Sequence, residues 1–233
     1  MQEETKAKVE SEIKDWKYLQ ELPDTCHSFH LIRETKIIES TYDIYSYVHP
    51  DIHKKAVVYY HEETHEYKVR VYIGLIEFCC IEFITAKLSD FEQLLKKNFD
   101  DLLSNMEKYN PASLSSIVIN SGIIEWGRSY NLPQNCEGFE LFISPGTPEK
   151  INNGSYVIIN YADFGIESDF SIYYNIYRDE FFGEARIWSI PDVNYDFDST
   201  SLGELEEKLR IYMVPRLQEI RQIAMKETAS KEK

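Results

Sequence analysis

The chain has 233 residues, 43% of them apolar and 28% charged, enough to bury a real core in one large domain or two small ones. Its net charge of −15 is spread evenly, with 14 basic and 21 acidic residues in 1–108 against 11 and 19 in 109–233. Such a field repels phosphate backbones and anionic lipid over about a Debye length, and no apolar run approaches the ~20 residues of a membrane span, so nucleic-acid and membrane partners are excluded.

In chain order, the opening MQEETKAKVE lacks the apolar stretch of a signal peptide. Val9, Ile13, Trp16 and Leu19 form one apolar stripe and predict a helix over 3–20, stopped by Pro23. Residues 28–84 read as strands. Tyr67, Val69, Val71 and Ile73 alternate with polar neighbours and are expected to face a core, and the segment 77–84 is dense enough in apolar side chains to be covered on both faces. Ser89-x-x-Glu92 has the form of a capping box and opens a helix with Phe91, Leu94, Leu95, Phe99, Leu102, Leu103 and Met106 at helical spacing. Asn110-Pro111 ends this stretch. Strands are then expected to resume at Ile117, with loop-rich insertions around 131–138 and 146–154. Phe170, Ile172, Tyr174 and Ile176 form a second alternating core set, which places Tyr173 and Tyr177 together on the opposite face. A second capping box, Ser201-x-x-Glu204, opens the last helix. Pro215 lies inside that helical pattern and predicts a kink or break, because it lacks an N–H and clashes with the carbonyl of Ile211. The tail from Lys226 is expected to fray.

The chain also echoes itself. His30–Glu39 (HLIRETKIIE) resembles Ser116–Glu125 (SIVINSGIIE) at a spacing of 86, and further matches follow at 95, 100, 103 and finally 114, where Leu88, Phe91, Leu95, Phe99 and Leu103 meet Leu202, Leu205, Leu209, Met213 and Leu217. The expected fold is therefore two-layer α+β. It is a tandem duplication of a unit made of an antiparallel β-sheet closed by one amphipathic helix, with an extra N-terminal helix. The expected division is a first repeat at 1–108, a second at 109–225 and a frayed tail at 226–233.

Two patterns bear on metal binding. His61-Glu62-Glu63-Thr64-His65 is a literal HExxH preceded by apolar residues, and so resembles the metal-binding helix of zincin metalloproteases. That resemblance implies His61 and His65 as zinc ligands and Glu62 as general base, in a metal-dependent hydrolase. The alternation on both sides, AVVYY and EYKVRVY, instead reads the five residues as a hairpin tip. All six histidines fall between 27 and 65, and Cys26-His27-x-x-His30 and His49-x-x-x-His53 accompany the HExxH pair. The segment Asp192-x-Asn194-x-Asp196-x-Asp198 has the spacing of a calcium-loop opening, but Phe197 and Gly203 stand where Gly and Glu are required, so it reads as an extended acidic segment.

No GxGxxG, GxxxxGK[ST] or GxSxG occurs, and no organic cofactor is called for. The four cysteines, Cys26, Cys79, Cys80 and Cys136, include no CxxC and fit free thiols in a reducing cytoplasm. Tyrosine is abundant, at 17 residues. Tyr72 with Arg70 in the first half, and Tyr173 with Tyr177 in the second, are the expected partner-binding side chains, since Tyr and Arg are favoured anchors at interfaces. The functional expectation is a non-catalytic, acidic cytoplasmic binding protein, an inhibitor or chaperone of a basic protein partner, with a homodimer as the other possible assembly.

Overall fold

The structure is a computed structural model that describes residues 1–152 and 154–231. It divides into two compact units, Met1–Tyr109 and Asn110–Lys233. Each contains, among the described residues, one seven-stranded antiparallel sheet, so the chain is mixed α+β.

The first unit opens with α1 (Glu3–Lys14) and α2 (Lys17–Gln20) rather than the single helix expected over 3–20. The break falls at Trp16, whose backbone is extended (φ −74°, ψ 98°). Leaving the helix lets the indole bury beside Phe91 and donate from Nε1 to Glu92 Oε2 at 2.8 Å. The strands β1 (Thr25–Cys26), β2 (Phe29–Ile32), β3 (Lys36–Ile38), β4 (Thr41–Val48), β5 (Lys54–His61), β6 (Glu66–Ile73) and β7 (Ile76–Thr85) follow. They pair in the order β1-β2-β4-β5-β6-β7, with β3 laid on β4. Helix α3 (Leu88–Glu107) packs against β6 and β7. Its stripe of Phe91, Leu95, Phe99 and Leu103 is buried, as are Tyr67, Val69, Val71 and Ile73 facing it, and Tyr67 stacks on Phe91 with ring centres 5.5 Å apart. The alternation read from the sequence thus sets which sheet face meets the helix.

In the second unit a 3₁₀ turn (Pro111–Ser113) leads to α4 (Ser116–Asn120) and α5 (Ile123–Ser129). The expectation of strands from Ile117 is overturned. Ser115 caps α4, its Oγ accepting from Val118 N at 3.3 Å, and Gly122 at φ +78° turns the chain into α5. A short Ile/Val run looks the same in a strand and in a buried helix turn, and these caps decide between them. The strands β8 (Asn135–Cys136), β9 (Phe139–Ile143), β10 (Glu149–Lys150), β11 (Ser155–Asp163), β12 (Ser168–Asn175), β13 (Glu180–Ile187) and β14 (Ile190–Ser199) follow, then α6 (Leu202–Lys231). Their order is β8-β9-β11-β12-β13-β14 with β10 on β11, which is the order of the first unit strand for strand.

The agreement extends to irregularities. The β4/β5 ladder slips between Asp43 and Tyr45, and β11/β12 between Val157 and Ile159; β6/β7 slips between Tyr67 and Val69, and β13/β14 between Phe181 and Gly183. Each pair is 114 residues apart. The left-handed residues His53 and His65 likewise recur as Glu167 and Asp179. Tyr47 donates its hydroxyl to the Pro23 carbonyl at 2.7 Å, and Tyr161 donates to Pro133 at the same distance. The spacing of 114 therefore holds from β4 and β11 onward. The matches at 86, 95, 100 and 103 are out of step: the first sets β2 and β3 against α4 and α5, and the others pair β4 with β9, β5 with β11 and β6 with β12. A better sequence echo precedes them, Leu22–Ile32 (LPDTCHSFHLI) against Leu132–Phe142 (LPQNCEGFELF), at a spacing of 110.

Helix α6 (Leu202–Lys231) runs through Pro215 without the expected break; residues 232 and 233 lie outside the described part. Among the described residues no helix is long and apolar enough to cross a membrane. Of the two capping boxes, Ser201 forms its cap, accepting from Glu204 N at 3.3 Å, while Glu204 accepts from Thr200 N. Ser89 lies inside α3 and bonds Asp90 instead. Ser201→Ala is therefore expected to lower stability by about 1 kcal/mol and Ser89→Ala by less than about 0.5 kcal/mol, as read by urea denaturation.

Candidate functional site

With Ala56, Val58 and Tyr60 of β5 buried on one face, Lys55, Val57 and Tyr59 take the other; on β6 the same alternation puts Lys68, Arg70 and Tyr72 opposite the residues that meet α3. This second face of the first sheet holds a concavity of about 370 Å³ lined by Asp43, Lys55, Arg70 and Tyr72, with Ile32 and Ile38 also at its wall. The two isoleucines are 41% and 50% exposed, an apolar border beside a charged floor.

Arg70 is buried and bonds both carboxylate oxygens of Asp43 through Nη2, at 2.6 Å to Oδ2. Its Nη1 lies 3.8 Å from Glu77, and its guanidinium sits 4.8 Å from the ring centre of Tyr59 and 5.9 Å from that of Tyr72. Burial works against the charge of Arg70, but Asp43, Tyr72 and Glu77 outweigh it and raise its pKa. The Nε of Arg70 is buried with no hydrogen-bond partner among the described residues. Beside it the Lys55 ammonium lies 3.9 Å over the Tyr72 ring centre, and no carboxylate stands within ion-pair range of it among the described residues. Burial, then the nearby charge of Arg70, lower the pKa of Lys55.

The same face of the second sheet is closed. Asp169 and Arg186 are cross-strand partners there, as Lys55 and Tyr72 are in the first unit. Arg186 donates from Nε and Nη2 to Asp169 at 3.0 and 3.1 Å, and from Nη2 to the Tyr173 hydroxyl at 3.0 Å. Asn160 and Ser171 donate to the same carboxylate at 2.6 and 3.1 Å. Tyr173 stacks on Phe182 and is only 3% exposed; burial pushes its phenol up to about 12.

The expected partner-binding side chains are thus placed differently from one another. Arg70 and Tyr72 share the concavity. Tyr173 and Tyr177 do not share a face, because β12 ends at Asn175, whose Oδ1 accepts from Tyr177 N and Arg178 N and turns the chain. Tyr177 lies in that turn, 78% exposed. Sequence reading missed Lys55 and Asp43. The available signal was Lys55 and Arg70 within two adjacent apolar-rich strands, since a charge held in a buried sheet calls for a partner of opposite sign.

The HEETH segment is a hairpin turn between β5 and β6, not the helix that the zincin resemblance implies. His61 ends β5 and His65 precedes β6, so the i, i+4 helical geometry that would set two imidazoles on one face is not present there. Nδ1 of His61 lies 3.0 Å from Thr64 Oγ1, and Glu62 accepts from Gln2 N at 2.8 Å. Among the described residues, the three metal-ligating groups that lie together are Cys26, His27 and Asp100, outside that motif. Residues 192–198 lie in β14 as an extended segment, as expected from their alternation. Burial raises the pKa of Cys26, Cys79, Cys80 and Cys136, which leaves each thiol protonated near neutrality and a poor nucleophile. Compared with protein-family models, curated proteins and solved structures, the chain matches none.

Removing one member of the buried pair leaves the other charge uncompensated. Asp43→Ala is expected to cost about 3–5 kcal/mol, and the double change Asp43→Leu with Arg70→Met to recover most of it, as read by thermal and urea unfolding. Lys55 is expected to titrate below the exposed lysines in an NMR pH series on methyl-labelled lysine. Glu77→Gln should lower it further, since the Glu77 carboxylate favours the charged ammonium.

Proposed function

We propose that the chain is a non-catalytic binding protein that docks a protein partner on the concave face of its first sheet. The observation that carries this reading is the contrast between two equivalent cross-strand pairs: Asp169 and Arg186 satisfy each other in the second unit, whereas Lys55 faces Tyr72 in the first, a cation with no carboxylate in ion-pair range among the described residues. A face built to be closed, and left open in one unit, is suited to a ligand. The net charge of −15 steers a partner of net basic charge. Ile32, Ile38 and Tyr72 then supply apolar and aromatic contact, and Lys55 with Arg70 receives a carboxylate of the docked segment. The four cysteines, none in a disulfide among the described residues, accord with a reducing compartment such as the cytoplasm. The matching strand order and ladder slips support a tandem duplication of one two-layer unit, a sheet closed by one helix.

The test is fluorescence anisotropy with a library of net-basic peptides, each made with a central Glu and with a central Gln. The Glu members are expected to bind more tightly, binding to weaken as salt rises, and Lys55→Ala to cost about tenfold, or 1.4 kcal/mol. Equal binding by Lys55→Ala and Tyr72→Ala variants would remove the concavity as the site. Preference for net-acidic peptides would overturn the basic partner, and self-association that blocks the concavity would replace it with a second copy of the chain.

A further inference from the structure

We propose that Cys26, His27 and Asp100 form a zinc-class metal site in the first unit, separate from the concavity and from the HEETH turn. Cys26 ends β1, His27 stands in the turn to β2, and Asp100 comes from α3. One carboxylate oxygen, Asp100 Oδ1, lies 3.4 Å from Cys26 Sγ and 3.2 Å from His27 Nε2. The three ligand atoms lie within 4.8 Å of one another.

The two separations from Asp100 Oδ1 are close to the edges of a zinc tetrahedron. A zinc ion about 2.3 Å from sulfur and about 2.0 Å from nitrogen and oxygen, at tetrahedral angles, sets its ligand atoms roughly 3.3–3.5 Å apart. The donor set of one thiolate, one imidazole and one carboxylate suits Zn²⁺. Binding is a proton exchange without redox chemistry: the Cys26 S–H bond breaks, the proton leaves to solvent, the sulfur lone pair bonds the metal, and neutral His27 binds through Nε2. At present the thiol is held up to about 11 by burial and by Asp100, and a cation at the centre of the three ligands reverses that balance. Asp100 is 76% exposed at its side chain, which leaves a path for the ion and room for water as fourth ligand.

The second unit provides a control within the chain. At the corresponding positions it has Cys136, Glu137 and Val214, so two of the three ligands are replaced. It also sets Arg221 where the first unit has Glu107. Arg221 donates from Nε to the Glu137 carbonyl at 2.5 Å and from Nη2 to Asp163, so the cation there is a side chain. In the first unit Glu107 accepts from Ser28 and adds negative potential beside His27. The scaffold is the same, so the Cys26–His27–Asp100 constellation is not demanded by folding. His27 holds a left-handed backbone at φ +52°, but so does Glu137 at +51°; the turn and its cysteine recur in both units, whereas His27 and Asp100 do not.

The test uses the full chain, purified without a His-tag and stripped with chelator, then titrated with zinc against a chromophoric competitor and, separately, with Co²⁺. One zinc per chain is expected, with a raised melting temperature and, for cobalt, thiolate-to-metal charge-transfer absorption. Cys26→Ser and Asp100→Val are each expected to weaken zinc binding roughly a hundredfold, with folding checked by circular dichroism. Cys26→Ser should abolish the charge-transfer band, and the double variant His61→Ala, His65→Ala should bind as the parent does. No saturable binding at micromolar zinc would overturn the site, leaving a thiol–carboxylate–imidazole hydrogen-bond network alone. So would binding that survives Cys26→Ser or disappears in the His61, His65 double variant.

Discussion

A sheet closed by a helix on one face must still account for its other face, and that constraint organises both units. The helix side follows from hydrophobic burial alone: Tyr67, Val69, Val71 and Ile73 meet α3, and Leu205, Leu209 and Leu217 of α6 are buried in the second unit in the same way. The opposite face carries charge inside the protein, where an ion without a partner costs several kcal/mol. In the second unit Asp169 takes two bonds from Arg186 and one each from Asn160 and Ser171. In the first, Arg70 relies on Asp43 from β4, and Lys55 rests on an aromatic ring. A cation over a ring is held more weakly than one in a buried bidentate pair. Each face keeps a buried polar atom without a hydrogen-bond partner among the described residues, Arg70 Nε in the first unit and Asn160 Oδ1 in the second; what sets the first apart is a lysine held on a ring rather than on a carboxylate.

What was legible in the sequence follows from how local each signal is. The alternation of Tyr67 to Ile73 and the helical stripe of Phe91 to Leu103 are periodic over many residues, and both face the core as read. The Ser116–Glu125 segment failed because its resemblance to His30–Glu39 was one of hydrophobicity, which a buried helix turn and a strand share. The deciding residues were Ser115, an N-cap, and Gly122, in a left-handed turn. Trp16 failed for a different reason. Its place in the stripe is correct, yet the hydrogen bond to Glu92, 76 residues away, draws it out of the helix, and no local pattern reports a bond of that separation. The concavity was legible in half: Arg70 and Tyr72 could be picked from one strand, while Lys55 and Asp43 come from two others and needed the strand register.

The echo between the two halves is more regular in structure than in sequence. One spacing, 114, carries ladder slips, left-handed turns and closing helices together, because these depend on backbone geometry that many side chains satisfy. Side chains are free to diverge wherever the backbone does not need them. The motif Leu-Pro-x-x-Cys-x-x-Phe persists at 22–29 and 132–139, where Phe29 and Phe139 are both fully buried and each Pro carbonyl accepts a tyrosine hydroxyl.

That separation between what the backbone requires and what it tolerates lets the two units be compared position by position. Residues held in common by the two units are accounted for by packing: Trp16 and Trp126 each donate to a glutamate of the closing helix, Glu92 and Glu206. Side chains differ at many equivalent positions, and two groups of these differences exchange charge. At the sheet face, Lys55 and Tyr72 stand against Asp169 and Arg186; at the edge by the closing helix, His27, Asp100 and Glu107 stand against Glu137, Val214 and Arg221. Both exchanges alter charge while leaving strand order and turn conformation unchanged. The first unit keeps a buried ion pair of its own, Asp43 with Arg70, but sets Lys55 over the Tyr72 ring rather than on a carboxylate.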